Sequence, residues 1–577
     1  MLSQRNLVLM LLLVAALPAK AAAAPMRPVH APHAMVASVH PLASQAGVEV
    51  MQAGGNAVDA AVATGFALAV VHPQAGNLGG GGFMLIRMAD GAIHFLDYQE
   101  KAPAAATPDM YLDATGKVIE NASLVGYRAI AVPGSVAGLA YAQKKYGKLP
   151  LAQVMAPAIR VARDGFALAW EDSEDLKDQD LAKFPESRRL FQREGKNYQP
   201  GEILRQPELA RTLERIAKDP DDFYQGEMAR DLAAAVQKGG GLITAQDLAA
   251  YQVKEREPIR GTYRGYDIIS APPPSSGGVA LLEILNILEG YDLAHYGNRS
   301  AESIHLTVEA FRRTFYDRAE FLGDPDFSKI PVAQLIDKKY GVGWRETIDI
   351  DHATASEHLR RPAVFNELER YAQEHPQLPG AAREPQNTTH YSIVDSAGNA
   401  AAVTTTLNDS LGSRVTAEGL GFLLNDGMDD FASKQGVPNR YGLVQGPANA
   451  IGPAKRPLSA MTPTIVLKEG KLFLVLGSPG GPNIITTVAN ILIGVVDYRL
   501  DIQEAVNAPR FHQQWLPDAT LVEDRISPDT LRLLRAKGHK LQVKHLWGDG
   551  ECIAVDAKTG ERLGASDGRN NGKAVGF

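Results

Sequence analysis

Two threonine-bearing runs offer a place to build hydroxyl chemistry: Asn387 to Asp395 (NTTHYSIVD) and Thr404 to Asn408 (TTTLN). Between them Asp395 to Asn399 (DSAGN) is a turn cluster, so the flanking β-rich runs read as the arms of a hairpin. With that turn as the loop, Val394 pairs with Ala400 and Thr388 falls opposite Thr406. Directly opposed side chains share a face roughly 5 Å apart, and the two-residue period puts Thr404, Thr406 and Asn408 on one face. The preceding stretch, Gln377 to Asn387 (QLPGAAREPQN), is Pro/Gly/Ala-rich and polar, an exposed linker that runs directly into the strand. On these residues alone, a solvent-facing threonine-rich hairpin is the plainer reading. The chemical reading needs the linker. A threonine hydroxyl has no proton acceptor in its own side chain, but cutting the bond before it frees an α-amine of pKa about 8 that can serve as base.

A second feature is Gly477-Ser478-Pro479-Gly480-Gly481, which follows a strand and precedes a helix-like run starting near Pro482. Proline at a helix start with glycines before it leaves backbone N–H groups available to an anion. A phosphate-binding loop is the rival reading here and for Gly79 to Gly82, but neither is followed by the Gly-Lys-Ser/Thr that such loops carry.

The elements around these features follow from pattern. Ser44 to Ala53 reads as a helix closed by Gly54-Gly55, and Asn56 as the N-cap of a helix from Ala57 to Val70. That second helix is apolar nearly all round, hence buried, and Asp59 argues against a membrane span. A glycine-rich loop, His72 to Phe83 (HPQAGNLGGGGF), leads to a strand at Met84 to Met88. Helical patterns dominate from about Ala152 to Tyr340, with a PPPSSGG turn at Pro272 to Gly278. Thr464 to Leu467 and Lys471 to Leu476 form another hairpin about Lys468-Glu469-Gly470.

With 577 residues the chain exceeds one compact core, and its 22% charged residues and net charge of -7 are those of a globular protein. No basic stripe is present to neutralise phosphates, which excludes a nucleic-acid binder, and nothing points to a membrane surface. Arg5, the apolar run Leu7 to Leu17 and the small residues to Ala24 read as a signal peptide over 1–24, too short to span a bilayer. Export follows, to the periplasm or beyond. Cys552 is the single cysteine, so no intramolecular disulfide forms. The histidines (His72, His295, His390, His512 and others) show no zinc spacing, and neither metal nor cofactor is expected.

The motifs NTTHYSIVD, TTTLN, LLNDGMDDF, RPLSAMTPTIV and GSPGG, with GGNAVDAAVA and HPQAGNLGGGGFML upstream, resemble those of γ-glutamyltransferases from about Val36 to the C-terminus. The resemblance implies an α+β fold, the αββα four-layer sandwich of N-terminal-nucleophile hydrolases, self-cleaved from one precursor into a large chain (25–387) and a small chain (388–577). Thr388 is then both cleavage point and nucleophile, Thr406 its positioning partner, and Gly480 and Gly481 the oxyanion hole. Asn408, Asp430, Ser459 and the position of Gln99 match substrate-binding positions. Pro438 to Pro453 resembles a pocket lid, with Tyr441 at its gate. The implied reaction cleaves γ-glutamyl amides such as glutathione through an acyl-enzyme and passes the acyl group to water or an amino acid.

The chain departs from the family at one end of the pocket. The family arginine that grips the substrate carboxylate is Gln99, one of two successive serines is Ala460, and an ammonium acceptor is Gly427, while Asp430 is kept. Each bond to a charged group contributes roughly 1.5–3 kcal/mol, so these changes weaken a glutamyl grip unless others compensate, with Asp426 and Gln99 as candidates. The alternatives are an acylase on a different side-chain acyl group, as in the cephalosporin acylases that resemble this family, and a self-cleaving but catalytically poor binding protein.

Overall fold

A computed structural model describes residues 26–577 except 369, 371–387, 435, 438, 440, 441, 546 and the side chain of 194. The signal-peptide, linker and Tyr441 readings therefore lie outside the described residues. Among the described residues no helix is long and apolar enough to cross a membrane.

Two seven-stranded antiparallel sheets form the centre. The first runs, edge to edge, Lys573–Gly576, Met35–Ser38, Thr389–Val394, Ala400–Thr406, Gly81–Arg87, Ile93–Asp97 and Lys254–Arg256. The second runs Val29–Ala31, Arg562–Ser566, Glu551–Val555, Lys471–Leu476, Thr464–Lys468, Tyr266–Ser270 and Ile259–Tyr263. One core joins the first sheet's outer face (Tyr391, Ile393, Ala401, Val403) to helices Pro41–Gln52, Ala57–Val71 and their neighbours. The other lies between the sheets and under helices Gly277–Leu288, Ala301–Phe321 and Asn483–Val496. The order is helix, sheet, sheet, helix: the αββα sandwich. Both sheets contain strands from before and after position 388, so their hydrogen bonds and cores hold the two segments together whether or not the chain is cut there.

The hairpin register is the one the turn dictates. Val394 pairs with Ala400 and Thr389 with Thr405, which sets Thr388 against Thr406. Asn56 caps Ala57–Val71 in a reciprocal capping box with Asp59, and the helix is buried on every side. The sequence reading of a helical 152–340 region misses five strands: the two-residue Phe166–Ala167 and Ile203–Leu204, and then Lys254–Arg256, Ile259–Tyr263 and Tyr266–Ser270. The last two form a hairpin through Arg264 and Gly265, whose positive φ values of 48° and 81° make the tight turn.

The Gly79–Gly82 loop serves packing. A Cβ on Gly80 would lie 2.0 Å from the Thr406 carbonyl oxygen, and one on Gly82 2.5 Å from that of Thr404. Only glycine admits so close an approach of the neighbouring backbone. On the inner face, Ser392 donates its hydroxyl to the Glu551 carbonyl (2.7 Å), so its oxygen accepts the His390 Nε2–H (3.1 Å) and His390 Nδ1 accepts the Thr404 hydroxyl (2.8 Å). Burial holds this imidazole neutral, its pKa drawn down to about 3. The ring packs on Gly477, where a Cβ would lie 2.2 Å from it. Gly477→Ala is accordingly expected to lower stability by about 1–3 kcal/mol, by overpacking between the sheets, in a denaturant titration; an unchanged midpoint would contradict this packing.

Candidate active site

The strand end at Thr388 opens into a small pocket lined by Thr388, Thr406, Asn408, Asp430, Ser459, Ala460, Gly481 and Pro482, with Arg318, Leu443, Leu458, Met461 and Ile484. Thr388 and Thr406 are 5% and 4% exposed, and their hydroxyl oxygens lie 3.2 Å apart. Thr406 is held from two sides. Its Oγ1 accepts the Asn408 N–H at 2.9 Å, and its carbonyl accepts Asn77 Nδ2 at 2.9 Å. Asn408 adopts a left-handed backbone (φ 83°), a conformation that costs a non-glycine residue energy and persists where its surroundings fix it. Here its Nδ2 donates to the Asp426 carbonyl at 3.0 Å.

The GSPGG segment reaches the cavity as a turn into Asn483–Val496, with Pro482 at the N-cap. Gly480 and Gly481 have φ of 132° and 53°, and among the described residues neither backbone N–H donates to a protein acceptor. Gly481 lines the Thr388 cavity, whereas Gly480 lines an adjoining, more open one with Trp170 and Trp547.

The PPPSSGG turn positions the far wall. Ser276 donates both its N–H and its hydroxyl to the Ser459 carbonyl (2.8 and 2.7 Å), Ser459 N–H donates to the Pro274 carbonyl, and Ser275 Oγ donates to the Met461 carbonyl. Of the lid segment, Leu443 lines the cavity, and Gln445 and Asn449 donate to the Asp430 backbone carbonyl at 3.1 and 2.7 Å.

Several expectations about the specificity end change. Gln99 is wholly buried and does not line the cavity; among the described residues its amide oxygen and nitrogen have no hydrogen-bond partner. Gly427 packs against the side chains of Asn425, Glu100 and Ala131 and does not line the cavity. Asp426 is not placed to replace a lost ammonium acceptor. Its carboxylate accepts the Asp409 N–H at 2.9 Å and Asn408 Nδ2 at 3.3 Å, and burial beside Asp409 pushes its pKa well up. Asp430 does line the cavity, and its pKa is raised by burial first and then by the nearby Glu100 and Asp429. Glu100, fully buried, is itself pushed up to about 8 by desolvation.

Sequence reasoning missed Arg318, which lines the cavity from helix Ala301–Phe321. The run FRRTFYDRAEF carries charges on every side, a pattern of an exposed helix, and no spacing rule singles out one of them. One group of potential metal donors also converges, His305, Glu309 and His539, all buried. Its carboxylate is engaged by Arg313 Nη1 at 2.6 Å, and His305 Nε2 donates to the Asp349 carbonyl.

Comparison with known proteins places this geometry. A family described as gamma-glutamyltranspeptidase matches residues 43–577. The glutathione hydrolase proenzyme of Escherichia coli K12 is 50% identical over 94% of this chain and 91% of its own length. The acylase ACY 1 proenzyme of Pseudomonas sp. SE83 is 38% identical over 89% of this chain and 88% of its own. A cephalosporin acylase from Bacillus halodurans superposes with a TM-score of 0.82 at 28% identity, covering 97% of this chain and 98% of that one. With a matching family profile over nearly the whole chain, this fold and this arrangement around Thr388, the protein belongs to the γ-glutamyltranspeptidase family.

Proposed function

We propose that this chain is an exported γ-glutamyl transferase and hydrolase, matured by cleavage between Asn387 and Thr388 into chains 25–387 and 388–577, with Thr388 as nucleophile in both steps. The observation that carries the reading is the Thr388–Thr406 hydroxyl contact at 3.2 Å inside a cavity that also holds Gly481 and Asp430. In maturation the Thr388 hydroxyl attacks the Asn387 carbonyl carbon, the amide nitrogen leaves as the new α-amine, and water hydrolyses the resulting ester. In catalysis that amine takes the hydroxyl proton as Thr388 Oγ attacks the γ-carbonyl of the donor. The tetrahedral oxyanion is met by the N–H groups at Gly480 and Gly481, each such donor supplying roughly 3 kcal/mol or more. The amine leaving group departs with the proton, and water or an amino acid then attacks the acyl-Thr388 ester.

The role of Thr406 is positional. With its oxygen accepting the Asn408 N–H, its own proton is directed outward, and donation to Thr388 Oγ1 fixes the lone pair that attacks. Asp430 is the acceptor for the substrate ammonium, and Ser459 the remaining hydroxyl on the carboxylate side. Glutathione is the natural type of donor, supported by the 50% identity to a glutathione hydrolase proenzyme. A second reading, an acylase for another side-chain acyl group, is favoured by Ala460 in the cavity wall and by the 28%-identical acylase fold. Export to the periplasm is supported by the N-terminal run of Arg5 to Ala24.

Three outcomes test this. Wild type resolves on a denaturing gel as two chains and turns over a γ-glutamyl anilide, while Thr388→Ala stays as one chain and is inactive; turnover of a glutaryl amide alone would replace the glutamyl reading with the acylase one. Thr406→Val keeps the shape but not the hydroxyl and should cost about 10²-fold in kcat, near the loss of one neutral hydrogen bond made in the transition state plus misalignment; unchanged kcat would remove Thr406 from the mechanism. The third outcome concerns Glu100. Its folded pKa of about 8 lies above the ordinary 4.5, so the folded chain holds a proton that the unfolded chain releases between those values. That contribution is complete below about pH 4.5 and drains away as pH rises towards 8. The thermal midpoint of Glu100→Gln, measured relative to wild type, should therefore rise between about pH 5 and about pH 8; a constant difference would contradict a buried, protonated Glu100.

A further inference from the structure

Arg318 stands apart from the other buried arginines of its helix. Arg313 pairs with Glu309, and Arg312 with Glu309 and Asp518. Arg318, 2% exposed, makes one side-chain bond, from Nε to Ser276 Oγ at 2.9 Å. Its Nη1 is buried with no hydrogen-bond acceptor, and it forms no ion pair among the described residues. Burial draws its pKa down only to about 10, so it stays a cation at neutral pH. A buried guanidinium with an idle N–H is costly to maintain, and such a group is expected where an anionic ligand completes it.

The surroundings say which anion. Arg318 lines the cavity of Thr388 together with Asp430, and the two are not paired with each other, although Asp430 is the charge nearest in effect to Arg318. The cavity therefore offers one buried guanidinium and one carboxyl group, the two partners a zwitterion requires. Ser276 bonds Arg318 and the Ser459 carbonyl with the same side chain, so the guanidinium is fixed relative to the Ser459-Ala460 wall. Gln99, at the position where the family resemblance expects the carboxylate-binding cation, does not line the cavity.

We propose that Arg318 binds the α-carboxylate of the γ-glutamyl donor while Asp430 binds its α-ammonium, so that in this chain the cation that selects the acyl group comes from helix Ala301–Phe321. The assignment rests on the γ-glutamyl reading of the site. A planar guanidinium pre-set by Ser276 can offer a carboxylate a charge-assisted bond at small entropic cost, and its loss weakens binding without touching the atoms that react. The change accordingly falls on KM more than on kcat.

Three anilides separate the groups: γ-glutamyl, 4-aminobutanoyl (the same chain without the α-carboxylate) and glutaryl (without the α-ammonium). Arg318→Gln is expected to lose roughly 100-fold in kcat/KM on the γ-glutamyl and glutaryl compounds, mostly through KM, and to leave 4-aminobutanoyl turnover within about threefold. Arg318→Lys, which keeps the charge without the fork, should fall between wild type and Arg318→Gln on the first two. Equal losses on all three compounds would show a structural role and overturn the assignment. Should Arg318→Gln fail to fold or to self-cleave, wild type alone decides: it must prefer the γ-glutamyl over the 4-aminobutanoyl anilide at least tenfold, and equal turnover of the two overturns the assignment. Absence of wild-type turnover on the γ-glutamyl anilide is a different failure, overturning the functional reading and the assignment with it.

Discussion

The structure depends on one pairing, that of Thr389–Val394 with Ala400–Thr406. A one-residue slip would turn Thr388 and His390 to the helix side and Tyr391 and Ile393 into the space between the sheets, exchanging the two faces of the central strand. Both faces are buried, so the register is fixed by both cores at once. The outer face is held by Tyr391, whose hydroxyl sits where a Cβ on Gly65 would come within 2.6 Å of it. The inner face is held by the Thr404–His390–Ser392–Glu551 chain of hydrogen bonds. Thr388 is thus placed by residues that take no part in the reaction, which is how a 3.2 Å contact between two hydroxyls is kept at a strand end.

The second constraint is electrostatic. The specificity end gathers Glu100, Asp430 and Arg318 away from water, where ionised groups are expensive unless partnered. Glu100 meets the cost by holding its proton, with a pKa raised to about 8. Arg318 keeps its charge, and Asp430, its pKa raised by burial, lines the same cavity with no ion pair to it among the described residues. Desolvation that weighs against the empty site strengthens every bond a zwitterionic acyl group makes on entering it, because the same low-dielectric surroundings act on both.

What the sequence makes legible is local or periodic. Asn56 with Asp59, the DSAGN turn and the alternation of Thr388, His390 and Ser392 each fix a cap, a loop or a face within a few residues, and the motif resemblance adds the sandwich and the residue roles. What it hides is long-range. Arg318 meets Ser459 through Ser276, and neither the helix pattern nor any spacing joins those three segments. Asp426, an acid beside the pocket motif, is spent on the backbone of Asp409 and the amide of Asn408. Gln99, next to Glu100, is buried outside the cavity lining. The short strands between Lys254 and Ser270 escape notice because three to five residues each are too few for a period to declare itself.

The central claim is that Thr388 is the atom-level point of both self-cleavage and acyl transfer. Intact-mass analysis of the protein quenched during turnover of a γ-glutamyl ester tests it directly. The account predicts a small chain beginning at Thr388 that carries one additional γ-glutamyl group, with fragmentation placing the adduct on Thr388 itself. A chain beginning at any other residue, or an adduct mapped to another side chain, would contradict it.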